Sequence, residues 1–179
     1  MRQIVELYTD GSAKANGTEG NCGGFGVCCL VPDESCKTGF RIDYTISRQC
    51  KNVTNNQMEL KAIITALKMT QTRYKDCECI IKSDSAYCVN MINNWIYHWF
   101  RNGWTRAKGE TIENLDLVKK IWEYLKIDFA NFRVEKVPGH ANLLGNEMAD
   151  ALATNNQIKL DKILKENDTL YEKILNFDL

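Results

Sequence analysis

No charge of either sign is in excess. The 23 Lys and Arg residues balance 23 Asp and Glu, so no global field draws the chain toward nucleic acid or a membrane surface. Any site for a polyanion must be local. No apolar run approaches the roughly 20 residues a membrane-spanning helix needs, and the opening Met1-Arg2-Gln3-Ile4-Val5-Glu6 lacks the apolar stretch of a signal peptide. These absences predict a soluble intracellular protein, cytoplasmic or nuclear and not secreted, with no membrane partner. Histidine occurs only twice, and none of the eight cysteines (Cys22, Cys28, Cys29, Cys36, Cys50, Cys77, Cys79, Cys88) forms a C-x-x-C pair, which removes zinc ribbons. Without a secretory signal the cysteines read as free thiols rather than a disulfide framework. Internal repeats and low-complexity stretches are also missing.

What remains, 44% hydrophobic and 26% charged residues in a chain of 179, can bury a core and excludes the disordered and collagen-like classes. Ile4 to Thr9 is a short β-rich run stopped by Asp10-Gly11-Ser12, with Asn16-Gly17 and Gly20 supplying turn chemistry. Cys22 to Val31 makes a second strand. Phe40, Ile42, Tyr44 and Ile46, alternating with Arg41, Asp43 and Thr45, make a third. Thr54 and Gln57 form a capping box that opens a helix running from near Asn55 to about Gln71. Cys77 to Lys82 is a fourth β run, ended by Ser83-Asp84-Ser85 and followed by a helical segment from Ala86 toward Trp95. Leu115, Val118, Ile121, Trp122 and Leu125 share one helical face, Phe132 to Val137 gives a fifth strand, and Glu147 to Ala153 a last domain helix. Three strands followed by β/α alternation predict an α/β mixed five-stranded sheet, three antiparallel strands then two parallel, with helices on both faces. The domain is expected over residues 1–154. Residues 155–179, with Leu160, Ile163, Leu164, Tyr171, Ile174 and Leu175 near helical spacing, are expected to form a C-terminal helical extension packed on it.

Asp10 and Asp84 both end apolar strands. Each alone suits a turn, but ligands gather at the carboxyl ends of parallel strands, so the pair would face one crevice. Glu59 is read in the first turn of the Thr54-capped helix, where a carboxylate also complements the helix dipole. If the three converge they cannot all stay ionised without cations or raised pKa values. Hard oxygen donors suit Mg²⁺, with Mn²⁺ as a substitute, and two ions roughly 3.5–4 Å apart suit in-line phosphoryl displacement.

Tyr8-Thr9-Asp10-Gly11-Ser12, Thr54-Asn55-Asn56-Gln57-Met58-Glu59-Leu60, Ser83-Asp84-Ser85, and Val137-Pro138-Gly139-His140 through Gly145-Asn146-Glu147-Met148-Ala149-Asp150 together resemble the type 1 ribonuclease H family, cellular or virus-encoded. The resemblance covers about residues 1–154, in the family's order. It implies the ribonuclease H-like fold and an endoribonuclease that hydrolyses the RNA strand of RNA–DNA hybrids by a two-metal-ion mechanism, leaving 3′-hydroxyl and 5′-phosphate ends. By the same resemblance Asp10, Glu59, Asp84 and Asp150 are the metal-binding carboxylates, with Asp10 touching both ions. His140 matches a loop histidine that assists proton transfer or product release.

The segment from Trp95 to Lys108 resembles the family's basic handle, in which Trp99, Arg101, Trp104, Arg106 and Lys108 would grip the DNA strand, while Trp95 is expected in the core. Phe100 and Asn102 stand where a denser basic run is common, which predicts weaker and less salt-dependent binding. Asn16, Asn55 and Asn56 resemble minor-groove contacts, their amides suited to the ribose 2′-hydroxyl. Thr54 and Asn114 match a DNA-phosphate pocket whose usual arginine is Asn52 here, with Lys51 adjacent; Ala86 stands where a groove-contacting Gln is frequent. The chain starts at the first strand, so no N-terminal hybrid-binding module is expected, and a monomer is the default. A hybrid-binding module without catalysis is the alternative class, and the filled carboxylate positions weigh against it.

Overall fold

The computed structural model describes residues 2–16, 18–127, 131–139 and 141–167. Its first strand, β1 (Ile4–Ala13), carries Val5 and Leu7 on one face and Tyr8 on the other, all buried. The next, β2 (Cys22–Pro32), does the same with Phe25, Val27 and Cys29 against Cys28 and Leu30. Both faces of these strands are therefore covered, and the apolar residues run nearly continuously rather than alternating. β3 (Phe40–Lys51), β4 (Glu78–Ser83) and β5 (Phe132–Lys136) complete a sheet of order β3-β2-β1-β4-β5. The β1/β2 and β2/β3 pairs are antiparallel and β1/β4 and β4/β5 parallel, as the strand pattern predicts.

On one face lie α1 (Asn55–Gln71) and α4 (Leu115–Leu125). The capping box is present: Thr54 Oγ1 accepts from Gln57 N–H at 3.2 Å, and Gln57 Oε1 accepts from Thr54 N–H at 2.9 Å. On the other face lies α5 (Leu144–Ala153), joined through Asn155 in the left-handed region, φ 51°, to α6 (Gln157–Asn167). Leu160 and Ile163 of α6 are buried with Met148 and Leu152 of α5, so this part of the tail stripe packs on its own domain. Tyr171, Ile174 and Leu175 lie outside the described residues. All eight cysteines are free thiols, and no helix among the described residues is long and apolar enough to cross a membrane.

The helical path after β4 differs from a simple helix. It runs as α2 (Ala86–Asn90), a π-helical turn at Met91–Trp95, and α3 (Ile96–Arg101). A π turn inserts one residue and rotates the succeeding helical face by about 100°. The expectation that Trp95 is core and Trp99 outward is thereby reversed: Trp95 is 39% exposed and Trp99 8%.

Two close approaches fix the layers. A Cβ on Gly11 of β1 would lie 2.2 Å from the Glu59 backbone nitrogen in α1, and a Cβ on Gly26 of β2 would lie 2.2 Å from the Ala149 carbonyl oxygen in α5. Backbone cannot yield as a side-chain tip can. Gly26→Ala is therefore expected to destabilise the fold by about 1–3 kcal/mol through overpacking, measured as a lower urea midpoint with an unchanged slope.

Candidate active site

The parallel ladder between β1 and β4 ends at Thr9 opposite Ser83; Asp10 comes next within β1, and Asp84 is the first residue past the end of β4. β1 itself continues to Ala13 along β2, so Asp10 is not a strand-ending turn residue; it lies where the parallel neighbour stops and leaves an opening. Glu59 enters from α1. It is the fifth residue of that helix, beyond the first turn, and no acidic residue occupies the first turn. The dipole role expected for it therefore falls away, and the Gly11 contact instead sets its backbone directly against β1.

One carboxylate oxygen from each of Asp10, Glu59 and Asp84 lies within 4.8 Å of the others. Asp10 is 9% and Glu59 6% exposed, with Asp84 half-buried. Among the described residues no cationic side chain pairs with any of the three. Burial, then the charges of Asp84 and Asp150, push the Asp10 carboxyl up to about 7, while the Gly11 N–H and the Lys159 charge pull the other way. Burial, then Asp10 and Asp84, push Glu59 up to about 9. Glu59 Oε2 is buried without a hydrogen-bond partner. A crowded set of hard, under-coordinated oxygens fits a divalent cation.

Asp150 reaches the same region from α5 but is not within the three-carboxylate group. Its Oδ2 accepts from Lys159 Nζ, and the same ammonium pairs with Glu147 at 2.7 Å. Asn146, also on α5 and buried, donates from its amide to Asp84 Oδ2 at 3.5 Å. Gly139 lies close above Asp84, since a Cβ there would be 3.1 Å from Asp84 Oδ2. His140, the next residue, lies outside the described residues. In the sequence Asn146 stands out only as part of a motif, and Lys159 does not stand out at all. No periodic pattern reaches Lys159, because the chain reverses at Asn155 between it and Asp150.

The remaining candidates separate into groups. Asn16 Oδ1 accepts from Asn55 N–H at 2.6 Å and Asn55 Oδ1 from Ala13 N–H at 3.2 Å, so this pair ties the end of β1 to the start of α1, with Asn56 exposed beside it. Thr54 uses its oxygen lone pair in the cap, leaving its O–H to donate. Asn114 precedes α4 in the left-handed region. Asn52 is also left-handed, and its Oδ1 accepts from Gly20 N–H at 2.7 Å. In the handle, Arg101 and Lys108 are exposed, Trp104 is half-buried, and the Arg106 guanidinium lies 5.9 Å from the centre of the buried Trp99 ring. The outward aromatic surface belongs to Trp95 and Phe100, the latter stacked on Trp122 at 4.5 Å.

A family model described as RNase H matches residues 2–158. A ribonuclease H of Caldicellulosiruptor saccharolyticus is 37% identical over 157 residues, covering 86% of this chain and 94% of that protein. Among solved structures, a type 1 RNase H with the type 2 active-site motif superposes with a TM-score of 0.69 at 29% identity, over 87% of this chain and 72% of the other. A foamy viral protease-reverse transcriptase in complex with RNA/DNA hybrid shares the fold, with a TM-score of 0.72 at 22% identity over 86% of this chain and 20% of that one.

Both raised carboxyls bind their protons more tightly folded than unfolded. In metal-free protein their contribution to stability is complete below the unfolded carboxylate range near about 4 and is lost as pH rises through about 7 for Asp10 and about 9 for Glu59. Melting in EDTA should therefore fall between pH 5 and pH 9. Glu59→Gln should flatten that decline and stabilise the metal-free fold at pH 8 by about 1–2 kcal/mol, read as a melting temperature several degrees higher.

Proposed function

The chain belongs to the ribonuclease H family, and from that membership we propose that it is an endonuclease hydrolysing the RNA strand of RNA–DNA hybrids with two divalent cations, Mg²⁺ with Mn²⁺ as substitute. The observation that carries the proposal is the group of Asp10, Glu59 and Asp84 oxygens within 4.8 Å at the mouth of two parallel strands. The orphaned, buried Glu59 Oε2 supports it, because a cation is the partner that oxygen lacks. Asp10, Glu59, Asp84 and Asp150 would hold the ions. When bound, the ions supply positive charge where the phosphate accumulates negative charge and ease deprotonation of the attacking water. Cleavage on this reading leaves 3′-hydroxyl and 5′-phosphate ends.

The chain's own groups would do the rest. Asn146 steadies Asp84 through its amide, fixing one carboxylate before any cation arrives. Residue His140, by resemblance, assists proton transfer or product release. The Asn16–Asn55 clasp holds two amides at the β1–α1 junction, with Asn56 beside them, and their remaining donors and acceptors suit ribose 2′-hydroxyls. The Thr54 hydroxyl and Asn114 would take a DNA phosphate. Asn52, engaged with Gly20 and carrying no charge, cannot supply the missing guanidinium. Grip on the duplex then falls more heavily on Arg101, Arg106 and Lys108, with Trp104 supporting and Trp99 acting from beneath by backing Arg106.

A duplex labelled separately on each strand tests the reaction. Expected is cutting confined to the hybrid's RNA strand in Mg²⁺ or Mn²⁺, none in EDTA, none on RNA–RNA or DNA–DNA, and none by a folded Asp84→Asn variant. Cutting by Asp84→Asn at the wild-type rate, or an intact hybrid in both metals, would overturn the proposal. For the handle, Arg101→Ala with Lys108→Ala should raise KM while leaving kcat at saturation. Each lost phosphate contact should also lower the log–log salt slope of binding by about 0.9.

A further inference from the structure

We infer that Lys159, on the helix that succeeds the last motif residue, is a positioning residue of the metal site: its ammonium holds Asp150 where a cation would, and so sets how tightly the second cation binds. This depends on the proposed role of Asp150 as a metal-holding carboxylate. Glu147 and Asp150, three residues apart on α5, present two carboxylates on one face, and Lys159 Nζ of the adjacent α6 pairs with both. All three side chains are more than two-thirds buried, so the ion pair is less screened than one on open surface.

The ammonium is delivered there by the backbone. Asn155 takes the left-handed conformation after α5, and Asn156 N–H bonds back to the Ala151 carbonyl at 2.8 Å, which closes the helix and turns the chain. Asn156 Oδ1 then accepts from Lys159 N–H at 3.0 Å, starting α6. Leu160 and Ile163, on the turn that carries Lys159, are buried against α5. Sliding Lys159 away from Asp150 would expose both, so the position is held by core packing and not by the ion pair alone.

Asp150 is thus oriented before any cation arrives, and a cation that takes Asp150 must first displace the ammonium. Lys159 therefore weakens the second cation while leaving the one held by Asp10, Glu59 and Asp84 largely untouched. It also stops Asp150 and Glu147 from drawing a stray ion onto α5.

Mn²⁺ titration of the full chain, with free Mn²⁺ counted by its electron paramagnetic resonance signal, separates these effects. Two Mn²⁺ are expected in wild type. Lys159→Gln should tighten the weaker constant roughly fivefold, the size of one partly exposed ion pair, with the stoichiometry unchanged and the tighter constant moving much less. The Mn²⁺ concentration for half-maximal cleavage should fall in parallel. Lys159→Arg should stay near wild type, and Lys162→Gln, which breaks a pair with Glu166 on the same helix, should change neither constant. Lys159→Met, which keeps the aliphatic stem, covers loosening of α6 by glutamine. Unchanged Mn²⁺ constants in both Lys159→Gln and Lys159→Met, with only the melting temperature lowered, would overturn the inference and leave Lys159 a tether. Absence of Mn²⁺ binding by wild type, matched by Asp10→Asn, would instead overturn the metal-site reading beneath it.

Discussion

The mutual repulsion of Asp10, Glu59 and Asp84 is the constraint around which the rest of the structure is arranged. Two of the three are nearly buried, and no cationic side chain among the described residues neutralises them. Such a group opposes folding, because each charge loses its water and gains like-charged neighbours. Without cations the chain lessens that cost by holding protons, as the raised Asp10 and Glu59 carboxyls show. Apolar burial on both faces of the sheet offsets the remainder. The arrangement is tolerable only because the acids sit at the edge of that core, where the β1/β4 ladder ends, and not within it.

Bringing a helix carboxylate onto a strand carboxylate needs an unusually short distance between layers. Gly11 supplies it: with no Cβ, β1 lets the backbone of α1 come close enough for Glu59 to share space with Asp10. On the opposite face Gly26 does the same for α5, which carries Asn146 and Asp150 toward the same opening. The glycines flanking the acid group are thus part of its geometry although they contribute no chemistry. The sheet is pinched from both sides at the point where its strands diverge.

Much of this is legible in the chain. The Thr54 capping box, the α4 stripe and the starts of the first three strands arise from local patterns and the structure reproduces them, whereas β1 and β3 run on to Ala13 and Lys51, past the ends that turn residues and alternation suggest. That Asp10 and Asp84 share one opening is legible too, because parallel strands must end on one edge, whereas Glu59 on α1 joins them in the sequence only through the family resemblance. Other features depend on events no local pattern records. The exchange of Trp95 and Trp99 between surface and core comes from one π-helical turn, which a strict 3.6-residue period does not anticipate. Lys159 meets Asp150 only because Asn155 reverses the chain, and its spacing from Asp150 matches neither a helical nor a strand period. The second turn of α1, and not the first, holds Glu59, since the capping box sets the first residue and three more pass before the face turns toward β1.

On the proposed reading, a neutral chain that segregates its charge also links its two ligands. The acid group presents negative charge at one place, and the segment from Arg101 to Lys108 presents positive charge at another, with a net of zero over the whole chain. On the proposed reading, phosphates near the acid group are repelled until cations occupy it, and attracted once they do, whereas the handle attracts them at all times. Metal and hybrid must then strengthen each other's binding by the same factor, because the coupling between two ligands on one protein is reciprocal. Lys159 enters the same balance. By pairing with Asp150 and Glu147 it offsets one of their two negative charges, which on the proposed reading would lower the repulsion a hybrid meets. On that reading Asp150 would hold a cation in place of the Lys159 ammonium, and the ion would supply the positive charge beside that carboxylate. A bound hybrid would then favour filling of the site, and Asp150, held by Lys159, would be the last carboxylate to take a cation.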